Sequence, residues 1–454
     1  MGEITASRHR MRPATKGIYR AVGMLGSAQG LGMVCSLVRN KLVAIWVGES
    51  GIALLGLLNS AVEMIGSLAQ QGLRTSAVGP VAEAASTPRL GRVAASVVSC
   101  GFAVGLASAV IMLLAAPVLS HISFGSGIYT WAFAAMALAV LLNAVTASRQ
   151  AIAQGTGALA RIARASLTGS LAGMIISVPL LWFFRIDALP WVIVTYSAVT
   201  AAAYFFPALR LPSVSMRETL AACSAILRLG LWLTLSSALG WGVSYLFMSW
   251  LHAEGGSIAV GLYQSGYTIA IRYLGVLFSA IAMEFYPRLS VRASRSPRHP
   301  SLLIAHETGV LLRVAVPASL LLIFLAPWVL KFLYSSDFAA ATPFMVGALT
   351  ALPLRALSWC SGFMIIARGD GPVFLAVEAA SGATCLILST VLYRMAGMAG
   401  LGMAFILWYL VYTAVILTVC NLRYNIKLPV STMLYIVMST LLLGGASLLR
   451  VNLC

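Results

Sequence analysis

Apolar runs of about 18 residues or more recur along the whole chain, and nothing else in the sequence constrains the fold as strongly. Inside a bilayer such a run must satisfy every backbone N–H and C=O within its own segment, which a helix does. Composition agrees. Of the 454 residues, 60% are hydrophobic and 9% charged, with a mean hydropathy of +0.94. A soluble protein carries about 25% charged residues, so there is too little polar surface here to face water. The strands of a β-barrel alternate over about 10 residues, whereas these runs are longer and apolar all round. The expected fold is therefore an all-α polytopic membrane protein.

The apolar stretches predict spans at Val22–Val47, Ile52–Val78, Val93–Leu119, Tyr129–Ile152, Leu167–Phe184 and Leu189–Leu209. A second set follows at Ile226–Leu251, Ile258–Met283, Val310–Leu333, Phe338–Ala367, Val373–Tyr393 and Leu401–Val419. These make 12 core helices; Val430–Leu449 is a 13th span or a re-entrant segment.

The net charge of +18, from 30 Lys and Arg against 12 Asp and Glu, takes its meaning from placement. Arg8, Arg10, Arg12, Lys16 and Arg20 precede the first span, and every second loop after it is basic. Arg89 and Arg92, Arg161 and Arg164, Arg210 and Arg217, Arg288 to Arg298, Arg368, and Arg423 with Lys427 all fall on that side. The other side has only Arg185, Lys331, Arg394 and Arg450. Cytoplasmic loops carry the excess of Lys and Arg, which predicts a multi-pass membrane protein with a cytoplasmic N-terminus. The first span is too long for a signal-peptide core and reads as a retained anchor.

The connections are too short for a folded soluble domain. None of the four Lys follows a Gly, so there is no Walker A loop, and no HExxH occurs. An ATP-driven pump and a membrane enzyme with its own catalytic domain are disfavoured; no catalytic residue, metal site, cofactor or nucleic-acid partner is expected. The seven Cys form no CxxC pair, and all but Cys454 lie in apolar stretches, so they read as small hydrophobes.

An internal repeat organises the spans. Glu49-Ser-Gly51-Ile-Ala-Leu-Leu-Gly56-Leu-Leu-Asn59-Ser60 returns as Glu254-Gly-Gly256-Ser-Ile-Ala-Val-Gly261-Leu-Tyr-Gln264-Ser265 at one constant offset. Each copy opens the second helix of its six-span set. An even number of spans separates them, so the repeats are parallel, a plan that puts a transporter's substrate site between two lobes. The expected lobes are Met1–Pro212 and Ser213–Tyr424, with 425–454 as a C-terminal extension.

Polar groups inside spans are costly and mark function. Arg39 and Lys41 lie near one helix end and Arg313 near the other, where snorkelling to the headgroups competes with cavity lining. Arg272 and Arg355 lie near mid-span and are expected to line a water-filled cavity. Asn59, Glu63, Ser67, Gln70 and Arg74 form one stripe on the second helix; Gln264, Thr268, Arg272 and Ser279 form its counterpart on the eighth. Lining of a cleft competes there with helix-to-helix bonding. Glu63 and Glu378 are the intramembrane acids, with Glu284 at the rim. Glu63 is a candidate for ion coupling or a structural partner for an Arg, and Glu378 for ion coupling or a pair with Arg355. Cations outnumber acids, and the planar fork of Arg suits phosphate or pyrophosphate.

The run Arg39-Asn-Lys-Leu-Val-Ala-Ile-Trp-Val-Gly48-Glu-Ser-Gly51-Ile-Ala-Leu-Leu-Gly56 resembles the first-loop region of Wzx-type oligosaccharide flippases of the MOP superfamily. Gly261-Leu-Tyr-Gln264 through Tyr286-Pro287-Arg-Leu289, Ile365-Ile-Ala-Arg-Gly-Asp370 with Glu378, and Gly400-Leu-Gly-Met403 are similar to the same family, from about residue 17 to 425. The resemblance implies a twelve-helix, two-lobed transporter that moves an undecaprenyl-pyrophosphate-linked oligosaccharide to the periplasmic leaflet, driven by an ion gradient, in O-antigen or enterobacterial-common-antigen synthesis. It also implies a glycan polymerase and a chain-length regulator as partners. Arg272 stands where relatives can carry an acid, which leaves the coupling ion open. A MATE-like drug or cation antiporter and a membrane-bound glycan polymerase or ligase are the competing readings. The first wants more carboxylates, and the second a large periplasmic loop.

Overall fold

A computed structural model describes residues 30–85, 87–205, 216–279 and 298–453, with single positions at 281, 285 and 289. The basic tail through Arg20, Arg210, Glu284 and the arginines from 288 to 295 lie outside the described residues. All regular structure among the described residues is helical. The helices are α1 (30–46), α2 (Glu49–Ser76), a short α3 (Val78–Ala84), α4 (Leu90–Phe124), α5 (Thr130–Gly155), α6 (Leu159–Phe184) and α7 (Leu189–Phe205). They continue with α8 (Met216–Tyr267), α9 (Arg298–Leu333), α10 (Thr342–Thr350), α11 (Leu352–Ala367), α12 (Gly371–Tyr424) and α13 (Val430–Leu453).

Over their described residues the predicted spans fall on helix, while 22–29, 206–209, 280 and 282–283 lie outside the described residues. Eight stretches among the described residues are long and apolar enough to cross a membrane, or nine with the bent α10–α11 pair. Three of the eight, Ala160–Tyr204, Leu231–Ser279 and Gly371–Tyr424, each hold two predicted spans. The breaks have local causes. α8 is interrupted at Gly256 (φ 70°) and α12 at Gly397 (φ 56°), a left-handed conformation that glycine adopts without a Cβ penalty. The tenth predicted span is a 3-10 turn, Ser336–Ala341, followed by α10 and α11 bent by 47°. Pro353, in the first turn of α11, has no N–H to extend the preceding helix, so a new helix starts there. Beyond Tyr267 the eighth span continues as a π-helical segment, Thr268–Tyr273, which periodicity did not predict.

The chain forms two compact units. The first comprises Met1–Arg39, Ile65–Pro117 and Thr130–Leu231. Its core is made of small and β-branched side chains: Ala77, Val81, Ala94, Val97, Ala147 and Ala151 around Leu73 and Ile152. Cys100 of α4 and Cys223 of α8, expected as separate hydrophobes, are joined there as a disulfide, with Cα atoms 5.3 Å apart. The hairpin of α6 and α7, closed by the 3-10 turn Arg185–Ala188, packs along its length.

The second unit comprises Asn40–Met64, Val118–Tyr129 and Trp232–Cys454. Phe285, Leu303, Ile304, Met364, Ile365 and Ile416 form one core cluster. α10 crosses α12 at Gly347 and Gly402, where a Cβ on Gly347 would stand 2.3 Å from the Gly402 Cα, so both positions exclude a side chain. α13 packs against α9, α10 and α11. The two copies of the sequence repeat touch within this unit: Gly56 faces the Gln264 side chain and Gly261 faces the Glu49 backbone. Outside the cores, Leu114, Phe183 and Leu422 are each about three-quarters exposed, as a bilayer-facing surface requires.

Candidate functional site

A cavity of about 340 Å³ opens in the second unit, lined by Ser236, Ser237, Gly240, Trp241, Ser244, Tyr267, Phe374 and Glu378. Five of these come from one face of α8, at spacings of three and four that bring Ser237, Trp241 and Ser244 into line. Ser and Gly are too small to fill the space beside that face, so the groove stays open. The Ser236 hydroxyl is buried without a hydrogen-bond partner among the described residues. Phe374 and Glu378, one turn apart on α12, form another wall. On α2, Met64 packs against Gly242, the neighbour of Trp241.

Arg272 lies beside one cavity residue, Trp241, and Arg355, expected near mid-span, stands in the first turn of α11 and reaches the same π segment. The Arg272 guanidinium lies 5.6 Å from the Trp241 ring, and its Nε is buried with no hydrogen-bond partner among the described residues. Arg272 sits on the π-helical segment, a geometry that recurs at functional sites. Arg355 lies 4.6 Å over the Phe278 ring and donates from a terminal nitrogen to the Ile271 carbonyl, 3.3 Å away, within the same π segment. A positive charge over an aromatic face is stabilised by the ring quadrupole, which holds each guanidinium without neutralising it. Glu378 accepts a hydrogen bond from the Tyr412 hydroxyl. The expected Arg355–Glu378 pair is not among the ion pairs of the described residues, because each group has found a different partner. Tyr412 continues an aromatic run through Tyr409, Trp408 and Phe405 to Phe344 and Tyr263.

The other expected site residues divide by environment. Gln264 and Thr268 are buried in helix packing; the Thr268 hydroxyl donates to the Gln264 carbonyl at 2.7 Å, and the Gln264 side chain rests on Gly56. The polar stripe of the eighth span thus serves as helix-to-helix packing in its first half and turns outward only at Arg272 and Ser279. Asn59 is half-buried and donates to the Leu55 carbonyl of its own helix at 2.7 Å. Lys41 donates to the Phe332 carbonyl at 2.6 Å, at the C-terminal end of α9, where a cation offsets the negative end of the helix dipole. Arg39 lies in the first unit, 6.0 Å from the Tyr196 ring. Arg313 is exposed on α9, and Glu63 is half-buried in the second unit. The side chains of Gln70 and Arg74 lie outside the described ones.

Sequence reading missed the serine and tryptophan face of α8. Its signal is Ser236-Ser-x-x-Gly240-Trp-x-x-Ser244, small polar residues every three or four positions in an otherwise apolar span. Glu307, 7% exposed and packed near Cys360 in the α9 core, was also passed over, because it was assigned to the loop before the span. Among the described residues no cluster of His, Cys, Asp and Glu could hold a metal ion.

The fold has close counterparts among solved structures. A multidrug-resistance MATE transporter of the MOP superfamily, in its inward-facing conformation, superposes with a TM-score of 0.72 at 15% identity, over 86% of this chain and 94% of that one. A MOP-superfamily transporter from Pyrococcus furiosus, described as having a binding pocket of reversed polarity, gives 0.66 at 14% identity over 89% and 95%. The lipid II flippase MurJ, in an inward closed conformation, gives 0.58 at 14% identity over 92% and 90%. These likenesses show that the chain shares the fold of those proteins. No curated protein matches the chain by sequence. A family model described as polysaccharide biosynthesis protein matches residues 54–343, most of the chain, and the chain belongs to that family.

Proposed function

We propose that this chain is a flippase that carries an undecaprenyl-pyrophosphate-linked oligosaccharide from the cytoplasmic to the periplasmic leaflet of the bacterial inner membrane, for O-antigen or a related surface polysaccharide. The observation that carries the reading is membership of a polysaccharide-biosynthesis family by a chain with a transporter fold. The chemistry of the cavity supports it. Arg272 and Arg355 offer planar donors for a phosphate, and Trp241 with its neighbouring serines offers a ring face and hydroxyls of the kind that suit a sugar. In this reading the sugar head rides in a polar cavity while the polyprenyl tail stays in the bilayer. Alternating access of two lobes, 1–212 and 213–424, is coupled to an ion gradient through Glu378 or Glu63. The N-terminus is cytoplasmic, and a glycan polymerase and a chain-length regulator act next in the same membrane.

The test is deletion of the gene followed by extraction of undecaprenyl-linked lipids from spheroplasts. A complete lipid-linked oligosaccharide held on the cytoplasmic leaflet, and released by the intact gene, is the expected result. Normal polymerisation of those lipids in the deletion strain would sink the reading. The second reading, a drug or cation antiporter, draws on the MATE likeness. Loss of efflux from the deletion strain with normal glycan display would favour it.

A further inference from the structure

The first unit has a groove of about 580 Å³ unlike the cavity of the second. It lies along the α6–α7 hairpin and is lined by Ala158, Arg161, Arg164, Ala165, Thr168 and Val199, together with alanines of α7. Its origin is in the sequence. Farther along the same hairpin, α6 carries Gly169-Ser-Leu-Ala-Gly173, and the two glycines seat directly on Thr200 and Tyr196 of α7. Towards the start of α6 the facing residues are alanines, which are too small to fill the space, and the groove remains.

Its wall and its mouth differ in chemistry. α6 and α7 present Ile175, Phe183 and Trp191 outward at 63%, 75% and 48% exposure, so this hairpin faces the lipid. The groove lies at the other end of this hairpin, with its own alanine and valine wall. At its mouth Arg161 and Arg164, one turn apart, stand in the first two turns of α6. They add charge where the helix dipole is already positive, an arrangement that an anion stabilises. Arg161 reaches the Tyr204 carbonyl near the C-terminal end of α7 at 3.3 Å, which fixes its guanidinium at the mouth. Arg164 bonds the Ala160 carbonyl within its own helix and keeps terminal nitrogens towards the surface.

We infer that this groove binds an anionic phospholipid, its phosphate between Arg161 and Arg164 and one acyl chain along Ala165, Val199 and Ala202. Charge complementarity and the apolar wall select this occupant. The alanine and valine wall suits an acyl chain and gives a soluble anion nothing to bind, and a zwitterionic lipid gains less from two cations. The groove is a separate site from the cavity of the second unit, and its lipid does not depend on what that cavity carries.

The experiment measures lipid adducts on the purified full-length protein by native mass spectrometry, after exchange into micelles doped with phosphatidylglycerol or phosphatidylcholine. Wild type should retain phosphatidylglycerol in preference to phosphatidylcholine. Arg164→Gln, at an exposed side chain whose loss leaves the packing intact, should weaken retention of phosphatidylglycerol about fivefold. Ala202→Leu keeps both arginines but fills the groove, and should reduce retention similarly. Equal retention of the two lipids by wild type overturns the inference, as does an Ala202→Leu variant that binds like wild type. If undecaprenyl pyrophosphate displaces phosphatidylglycerol at a far lower concentration, the groove is an entry point for the transported lipid and the phospholipid assignment fails.

Discussion

The cavity beside α8 and α12 and the groove beside α6 and α7 are both left open by small side chains, yet their chemistry is opposite. The cavity has serines, Trp241, Tyr267 and a carboxylate in its wall, with Arg272 beside Trp241. The groove has alanines, with arginines only at its mouth. Backbone packing cannot separate the two, because each lies along closely packed helices in an all-helical chain. What differs is how charge is held. Arg161 and Arg164 stand in the first two turns of α6 and bond backbone carbonyls of the same hairpin. Arg272 stands in the π-helical segment and Arg355 in the first turn of α11, beside aromatic rings, with the Ile271 carbonyl accepting from Arg355. A charge inside a span costs roughly 2.5–3.5 kcal/mol at a helix centre.

Removing the Arg272 charge should give the largest effect. Arg272→Ala is expected to lower surface glycan display about a hundredfold at normal protein level, the usual scale for a buried charge-assisted contact. Arg272→Lys should retain part of it, since a point charge replaces a planar fork. If instead Arg164→Gln abolishes display and Arg272→Ala does not, the roles assigned to cavity and groove are reversed. Next comes packing. Gly402→Val forces a side chain into the α10–α12 crossing and should cost about 1–3 kcal/mol, read as a lower Tm in detergent. Ala202→Leu fills open space in the first unit and should leave Tm unchanged. A smaller loss, roughly tenfold in transport, is expected for Tyr412→Phe, which removes the hydroxyl donated to Glu378. Altered dependence of transport on the ion gradient would assign Glu378 to coupling, and an unaltered dependence would leave it structural.

The smallest of these effects depends on pH. Asp370 precedes α12 and bonds Arg423 and Tyr424 near its far end. Burial alone would raise its carboxyl, but the hydrogen bonds from Arg423 and Tyr424, with the Arg423 charge, hold it below the ordinary value of about 3.9. A lowered folded-state pKa means that the stabilisation is complete above the unfolded value and is lost as pH falls through the folded one. Asp370→Asn should therefore lower Tm slightly at pH 7, with the difference shrinking as pH falls below the unfolded value. A difference that stays constant as the pH is lowered would remove the ion pair from the account.

Much of the fold was legible because helices in a bilayer must be apolar for about 20 residues, and over their described residues the predicted spans fall on helix. The breaks were harder to read. Gly256 and Gly397 end helices through their φ angle, whereas Gly347 and Gly402 sit within helices because of what they face. Sequence alone does not distinguish these uses. Among the expected site residues, Lys41 caps a helix end and Arg355 stands just after the α10–α11 bend, which span length alone does not reveal. Periodicity placed Gln264 and Thr268 on one face but left open what covers it, and both are buried against other helices. The Ser236–Ser244 face escaped notice because serine in an apolar helix carries little weight in any hydropathy sum.

The two helix breaks have a mechanical consequence. Gly256 turns the end of one hairpin in the second unit and Gly397 that of another, and both φ angles are open to glycine at little cost. Beside them Arg394 grips Glu254 with both nitrogens of its fork, at 3.3 and 2.9 Å, and lies 5.6 Å from the Trp250 ring. Tyr393 completes the contact by meeting Trp250 edge-on. Four long helical arms are thus tied at their tips by a clasp that is 140 residues apart along the chain. Each arm is a lever with a free-turning glycine at its end, and unclasped levers would bend independently under load. Clasped, the tips of α8 and α12 are held to one another, so that a displacement of either is shared by both.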